Sequence, residues 1–290
     1  MRLAILADIH GNTPALEAAL KEIEKDAVDG IVVAGDMIAG PNSVEVINRL
    51  RGLNACMIRG NQEGYILRFA SREAPDWWYT ARQWSFTHWN YRRMDNDTLD
   101  FIKKLPEQCA FNLDGTAPIR VVHGSPRNNS ELIFPEKDMA PLETAFGMVA
   151  EPVLIFGHTH VPWQVRQDGR LALNPGSVCG TFMGRTGGSY AILSWEHNHW
   201  EAELRELHYD ISLARKAFED TGLLKEGGAV AERWLHDLEA GINTLPRFIE
   251  FAYEQAAEAG FSDSPFVPDD IWDKAHELFK IELAKGNIIL

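Results

Sequence analysis

The sequence predicts an α/β protein with a helical C-terminal extension, and three observations carry that prediction. Apolar runs and helix-period segments alternate β-α-β-α-β over the first sixty residues, the pattern of a parallel sheet built from crossover units. Beyond Leu105, short apolar runs and hairpin turns dominate, so the sheet content becomes mixed or antiparallel. After His208 the strand signals stop and amphipathic helical segments follow.

The elements can be justified in order. "RLAILA" is a short apolar run that meets Asp8 and His10 at once, which suits a buried strand better than a signal peptide. "TPALEAALKEIEKD" places Leu16, Leu20 and Ile23 on one helical face, with Thr13 as the expected N-cap and Pro14 at the first helical position. "GIVVAG" and "ACMIRG" are the second and third strands, and "NSVEVINRLRG" is the helix between them. The aromatic segment from residue 62 to 105 reads as two or three helices inserted in the body. "PIRVVHGSP" and "PVLIFGHTH" are strands that end in histidine, separated by a helix around Pro141 to Val149. "QVRQDGRLALNPGS" reads as a hairpin with an Asp-Gly turn, and a second hairpin turns near His197 to His199. The domain organisation expected is a body over residues 1–208 and a helical extension over 209–290.

Bulk composition sets limits. The chain has 290 residues, 45% hydrophobic and 24% charged, as expected of a globular protein with a substantial core. The formal net charge of −14 speaks against a nucleic-acid polymer groove, because such binding rests on Lys/Arg contacts to phosphate. No stretch approaches the ~18 apolar residues that a membrane-spanning helix needs. Cys56, Cys109 and Cys179 are odd in number and widely spaced, so a disulfide framework is not expected and a reducing cytoplasm fits.

The chemistry-bearing residues fall at strand ends. Asp8 and His10 follow the first strand, Asp36 the second, Asn61 the third, His123 follows "IRVV", and His158 and His160 follow "VLIF". In open α/β sheets ligands bind outside the carboxyl ends of the strands. If these strands are parallel neighbours, all seven groups share one edge. Imidazole and carboxylate together suit borderline and harder divalent metals. One carboxylate can bridge two ions, and two ions ~3.5–4 Å apart can hold a bridging hydroxide for in-line attack on phosphorus. Each motif is weak alone; the joint order, each after an apolar run, is what points to a metal centre.

The stretches "DIHGN", "GDMIAGP", "RGNQE", "HGSP", "GHTHVP" and "NPGS" resemble the calcineurin-like metallophosphoesterases, in the bacterial and archaeal branch with short motifs. The resemblance spans Asp8 to Ser177. It implies a four-layer α/β/β/α sandwich of two mixed sheets, with a two-metal site at one edge. It further implies that Asp8, His10, Asp36 and His160 hold the first ion, and that Asp36, Asn61, His123 and His158 hold the second. Asp36 would then bridge, and Asp36, Asn61 and His123 would carry catalysis. The ions expected are two divalent metals, Mn²⁺ ahead of Fe, Zn²⁺ or Ni²⁺.

One position departs from the family pattern. Gln62 stands where many members carry a histidine that donates a proton to the leaving group or steadies the transition state. A glutamine amide can donate a hydrogen bond but is no general acid at neutral pH. That change and the aromatic segment favour phosphodiester or nucleotide-like small substrates over simple monoesters. His88 is a candidate donor in its stead. Asn12, Arg59, Gln62, Arg127 and Arg185 are candidate substrate contacts. The bland alternatives are a helix-entry turn for Asn12, surface ion pairs or mobile side chains for the arginines, and helical core for the tryptophans at 77, 78, 84 and 89. Asn174 is expected to form a turn beneath the site rather than to ligate. A non-catalytic metal-binding scaffold on the same fold and a protein phosphatase are the rival readings. The extension is expected to cover the site or to mediate self-association.

Overall fold

The apolar runs of the first sixty residues form β1 (Arg2–Leu6), β2 (Gly30–Val33) and β3 (Ala55–Met57) in the computed structural model, which describes residues 1–53 and 55–288. They pair in parallel, connected by α1 (Thr13–Glu24) and α2 (Ser43–Arg51). The N-cap of α1 is Asn12, one residue before the Thr13 expected from sequence, and its side-chain oxygen accepts from Ala15 N at 3.1 Å. Either residue type can cap; here the turn after His10 brings Asn12 into position.

The segment 62–105 is helical: α3 (Asn61–Ala70), short 3-10 turns at Asp76–Tyr79 and Arg82–Trp84, α4 (Ser85–Arg93) and α5 (Asn96–Lys104). Next come β4 (Gln108–Phe111), β5 (Ile119–Val122), α6 (Ala140–Met148) and β6 (Val153–Ile155). Two hairpins follow, β7 (Pro162–Gln167) with β8 (Arg170–Pro175), and β9 (Gly188–Glu196) with β10 (His199–Leu207). The first turns at Asp168 and Gly169, both at positive φ, as an Asp-Gly turn requires.

These strands make two sheets, not one. The first runs β10-β9-β1-β2-β3 and the second β4-β5-β6-β8-β7, each mixing parallel and antiparallel pairs. Two mixed sheets are what the family resemblance implied, and the condition that all the ligand-bearing strands be parallel neighbours is not met: β1, β2 and β3 lie in one sheet, β5 and β6 in the other.

Side-chain alternation explains why the sheets stack. Leu3 and Ile5 of the first strand, and Ala7 just after it, point at the second sheet, where Ile119, Val121, Val153, Ile155, Leu171 and Leu173 meet them. Their neighbours Ala4 and Leu6 point outward, under Leu16, Leu20, Val46 and Ile47 of α1 and α2. In the second sheet Val122, Leu154 and Ala172 face outward against Leu142, Ala145 and Phe146 of α6. Strands apolar on both faces need cover on both sides, and four layers result.

The extension is α7 (Ile211–Asp220), α8 (Leu223–Glu226), α9 (Gly228–Ala240), α10 (Leu245–Glu258) and α11 (Asp269–Ala284). Phe218, Leu223, Ala231, Leu235 and Leu238 pack on Ala39, Phe86, Trp89 and Cys179 of the body. The last two helices form a separate core around Phe248, Trp272 and Phe279. Among the described residues, no helix is long and apolar enough to cross a membrane.

Candidate metal centre and its flanking cavities

The seven strand-end residues converge where the two sheets meet. Asp8, His10, Asp36, Asn61 and His123 are buried, and His158 and His160 are partly so. Asp8, His10, Asp36, His158 and His160 all adopt positive φ, between 48° and 68°. Left-handed backbone is uncommon for side chains other than glycine and clusters at functional sites. It also explains how two histidines one residue apart serve different neighbours. With His158 and His160 out of strand conformation, His158 joins Asp36 and His123, while His160 joins Asp8 and His10.

Two glycines make this approach feasible. A Cβ on Gly60 would lie 2.2 Å from Asp36 Oδ1, and one on Gly35 would lie 2.8 Å from His123 Nδ1. Neither position can hold a larger residue without displacing a ligand side chain.

Distances within the first group fit a cation. His10 Nε2 faces His160 Nε2 at 3.0 Å, and Asp8 Oδ1 lies 3.4 Å from His160 Nε2 and 3.8 Å from His10 Nε2. Ligand atoms each ~2.1 Å from one tetrahedral ion stand ~3.4 Å apart. Asp8 Oδ1, His10 Nδ1 and His160 Nδ1 are buried without a hydrogen-bond partner among the described residues. A buried carboxylate oxygen without a donor is costly unless a cation satisfies it. In the second group His123 Nε2 lies 3.2 Å from Asp36 Oδ2 and 3.0 Å from Asn61 Oδ1, while its Nδ1 bonds Ala34 O at 2.7 Å. That bond to a carbonyl fixes the ring and directs Nε2 to the site. Asp8 Oδ1 is 3.9 Å from His123 Nε2, so the groups adjoin.

Electrostatics agree. Burial alone would raise the Asp8 and Asp36 carboxyls, but the imidazoles of His160 and His123 respectively outweigh it and hold both below the usual range. Burial, then His160, lowers His10 to about 4, so this ring is neutral and able to ligate at pH 7. Burial would lower His123 too, but Asp36 raises it to about 10. Protonated His123 paired with Asp36 is the state in which that imidazole occupies a cation's place.

Glu63 was not singled out from sequence, yet it fastens the site. It is fully buried, and its carboxylate accepts from Met37 N at 2.8 Å, Ile38 N at 3.3 Å, Asp36 N at 3.1 Å and Gly60 N at 2.7 Å. Burial and the Asp36 charge push it up to about 7. A Glu three residues after the N-cap of α3 is a capping-box signal that could have found it. Asn174 lies beneath the histidine loop, donating to Gly157 O at 2.6 Å and Thr159 Oγ1 at 3.1 Å.

Other sequence candidates are placed differently. The Asn12 amide is engaged inside the protein, capping α1 and donating to the Tyr209 hydroxyl at 2.9 Å. Gln62 donates its backbone N–H to Asp36 Oδ1 at 2.9 Å and turns toward a cavity that also touches His10. Arg59 pairs with Glu107 at 2.9 Å and, with Asn61, lines a polar groove of about 810 Å³. Arg127 pairs with Glu131 and Arg185 with Glu206; both are exposed and line neither cavity. His88 stacks on Phe69 at 5.4 Å in an aromatic cluster and likewise lines neither. Trp78 and Trp89 are core, and Trp84 faces the cavity that Gln62 lines.

The model of the calcineurin-like phosphoesterase superfamily domain matches residues 1–198. The chain belongs to this family. A calcineurin-like phosphoesterase body carrying two adjoining groups of side chains that could each hold a metal ion is thus what the two sheets build. Among curated proteins the chain is similar to an uncharacterized protein of Methanocaldococcus jannaschii, 26% identical over 235 residues, which cover 75% of this chain and 90% of that one. Among solved structures it is similar to a metallophosphoesterase from Sphaerobacter thermophilus, with a TM-score of 0.67, 25% identity, and 83% of this chain and 99% of the other covered. That coverage exceeds the 208 residues before the extension, so the likeness runs into the extension helices. A hypothetical protein of Pyrococcus horikoshii shares the fold, with a TM-score of 0.66, 21% identity, and 79% and 97% covered.

Proposed function

We propose that this calcineurin-like phosphoesterase is a dimetal-dependent hydrolase of small phosphodiester or nucleotide-like substrates. The observation that carries the reading is the pair of adjoining ligand groups, Asp8–His10–His160 and Asp36–His123–His158, buried at one edge. With Asn61 beside His123, each group has the donor set that an ion of the Mn²⁺, Fe, Zn²⁺ or Ni²⁺ kind accepts. Two such ions supply positive charge to phosphoryl oxygens and lower the pKa of an attacking water.

The chain's own residues do the rest. Glu63 and Asn174 hold the loops that present the ligands. Gln62 lines the same cavity as His10, and its amide can donate a hydrogen bond to a leaving oxygen there. The attacking water gives up a proton to solvent as its oxygen bonds to phosphorus, the ester P–O bond breaks, and the leaving oxygen draws its proton from solvent rather than from Gln62. That arrangement favours substrates with stable leaving groups, which supports diesters over simple alkyl monoesters.

The test is hydrolysis of bis-p-nitrophenyl phosphate by chelator-stripped protein, with and without Mn²⁺, beside Asp36→Asn. Expected is Mn²⁺-dependent turnover that Asp36→Asn reduces by about a thousandfold or more. Metal binding without turnover under any of several divalent ions would overturn the diesterase reading.

A further inference from the structure

Beside the ligand groups lies a cavity of about 310 Å³ whose two walls come from opposite ends of the chain. Gln62, Tyr65 and Trp84 of the aromatic segment form one wall; Val230, Trp234 and Trp272 of the extension form the other. His10 closes its inner end. Trp234 stands edge-on to His10 at 4.8 Å and to His160 at 5.9 Å, and Phe182 stacks on His160 at 5.5 Å. The first ligand group therefore has an aromatic wall on this side, continuous with the cavity. Trp272 is buried deep in it, while Ile249 and Tyr253 are 37% and 38% exposed at its mouth.

We propose that this cavity receives one ester substituent of the substrate, an uncharged aromatic ring, while the phosphoryl group sits at the ligand groups. The inference rests on the phosphoesterase reading above and names its substrate class. Three features decide the chemistry. Among the described residues, no Asp, Glu, Lys or Arg lines the cavity, so a second phosphate, a carboxylate or an ammonium would shed water and gain no ionic partner. The volume lies at the low end of ~300–1,000 Å³ ligand pockets, which suits one or two rings and not a long acyl chain. The walls are largely indole and phenol rings, which pack on other rings through faces and edges. The Gln62, Gln83 and Thr87 side chains are polar handles in the lining.

The substituent also accounts for the extension's place. Val230, Trp234, Leu245, Ile249, Tyr253 and Trp272 supply nearly half of the lining, and all follow residue 208. The groove that Asn61 lines carries Arg59, Arg68 and Lys103 beside Glu73, Asp100 and Glu107, so charged groups gather there and not in the aromatic cavity.

The test is calorimetric binding of three probes to the Mn²⁺-loaded full chain: methylphosphonate, phenylphosphonate and 4-carboxyphenylphosphonate. Phenylphosphonate should bind about tenfold or more tightly than methylphosphonate, since burying a ring adds apolar area at the site. The carboxylate on the third probe should erase that gain. Thr87→Phe and Val230→Phe, filling the cavity from opposite walls, should each remove the preference for phenyl. Equal affinity of the wild type for methyl and phenyl probes would overturn the inference, as would a preference that survives both fillings. The wild-type comparison decides the matter even if a filled variant fails to fold. Turnover of bis-p-nitrophenyl phosphate without a phenyl preference sinks the pocket alone. A phenyl preference without turnover of any diester sinks the hydrolase reading and leaves the pocket standing.

Discussion

Glu63 offers the sharpest test of how the centre is held. Its carboxylate accepts from four backbone N–H groups, those of Asp36, Met37, Ile38 and Gly60, at 2.7 to 3.3 Å. Those amides come from the turn after β2 and the start of α3, and no water reaches them at a fully buried side chain. At pH 8, above the Glu63 value of about 7, the group is ionised and all four bonds are charge-assisted. Hydrogen bonds to a charged group contribute ~1.5–3 kcal/mol each, and leaving a buried donor unmet costs a similar amount. Glu63→Gln keeps one oxygen and turns an NH₂ toward two N–H donors, so two bonds are lost and the loss should be about 3 kcal/mol. Glu63→Ala strands all four donors, partly relieved by water entering the space, and should cost about 5 kcal/mol. Urea unfolding of the metal-free protein at pH 8 measures both. The same substitutions should weaken Mn²⁺ binding, because Asp36 is held at φ 51° by the turn that Glu63 ties. If both variants unfold within ~1 kcal/mol of wild type, the four contacts do not hold the turn and the reasoning fails.

Two further outcomes are expected. Burial, then Lys280 and Arg233, lowers His276 to about 4 against an ordinary 6.5, with Glu277 opposing and Glu232 Oε2 3.8 Å away. The unfolded chain takes up this proton as pH falls through 6.5 and the folded chain does not, so stability present above pH 6.5 is lost toward pH 4, by ~3 kcal/mol in all. Urea midpoints at pH 7 and pH 5 should therefore fall less in His276→Gln than in wild type; equal falls would refute the assignment. Cys56 Sγ and Cys109 Sγ lie 3.2 Å apart although 53 positions separate them, and the hydrogen bond from Cys109 lowers the Cys56 thiol. Diamide treatment should join them into a disulfide seen in non-reducing peptide maps, raising stability by ~4 kcal/mol for a loop of that length. Recovery of both as free thiols after treatment would show that the strands do not approach as described.

What was legible in the sequence was what repeats or ends locally. The apolar runs before Asp8, Asp36, His123 and His158 gave the strands, because both faces of each sheet are covered and the runs stay apolar throughout. The joint order of strand-end residue types pointed to Asp8, His10 and His160 and to Asp36, His123 and His158, the two candidate groups that the fold brings to one place. β4 escaped notice: it is a four-residue edge strand whose side chains alternate between exposed and half-buried, so no apolar run marks it. The division into two sheets was not readable from strand patterns alone, since β9 returns from the end of the body to pair with β1. The left-handed backbone at Asp8, His10, Asp36, His158 and His160 leaves no signature in residue type, because it is imposed by the turns around it.

Trp234 marks the deeper limit. In sequence it is one apolar residue on an amphipathic helix, and nothing local separates it from Leu235, which packs into the body's core. Only the docking of α9 beside the first ligand group sets its indole against His10 and His160. Residue 208 is where the secondary-structure pattern changes, yet the cavity at the ligand groups crosses it, with one wall from each side. Strand-end residues place the candidate ligand groups from sequence. The cavity beside them is shaped by helices that meet only in the folded chain, so a substrate screen must use the extension as well as the body.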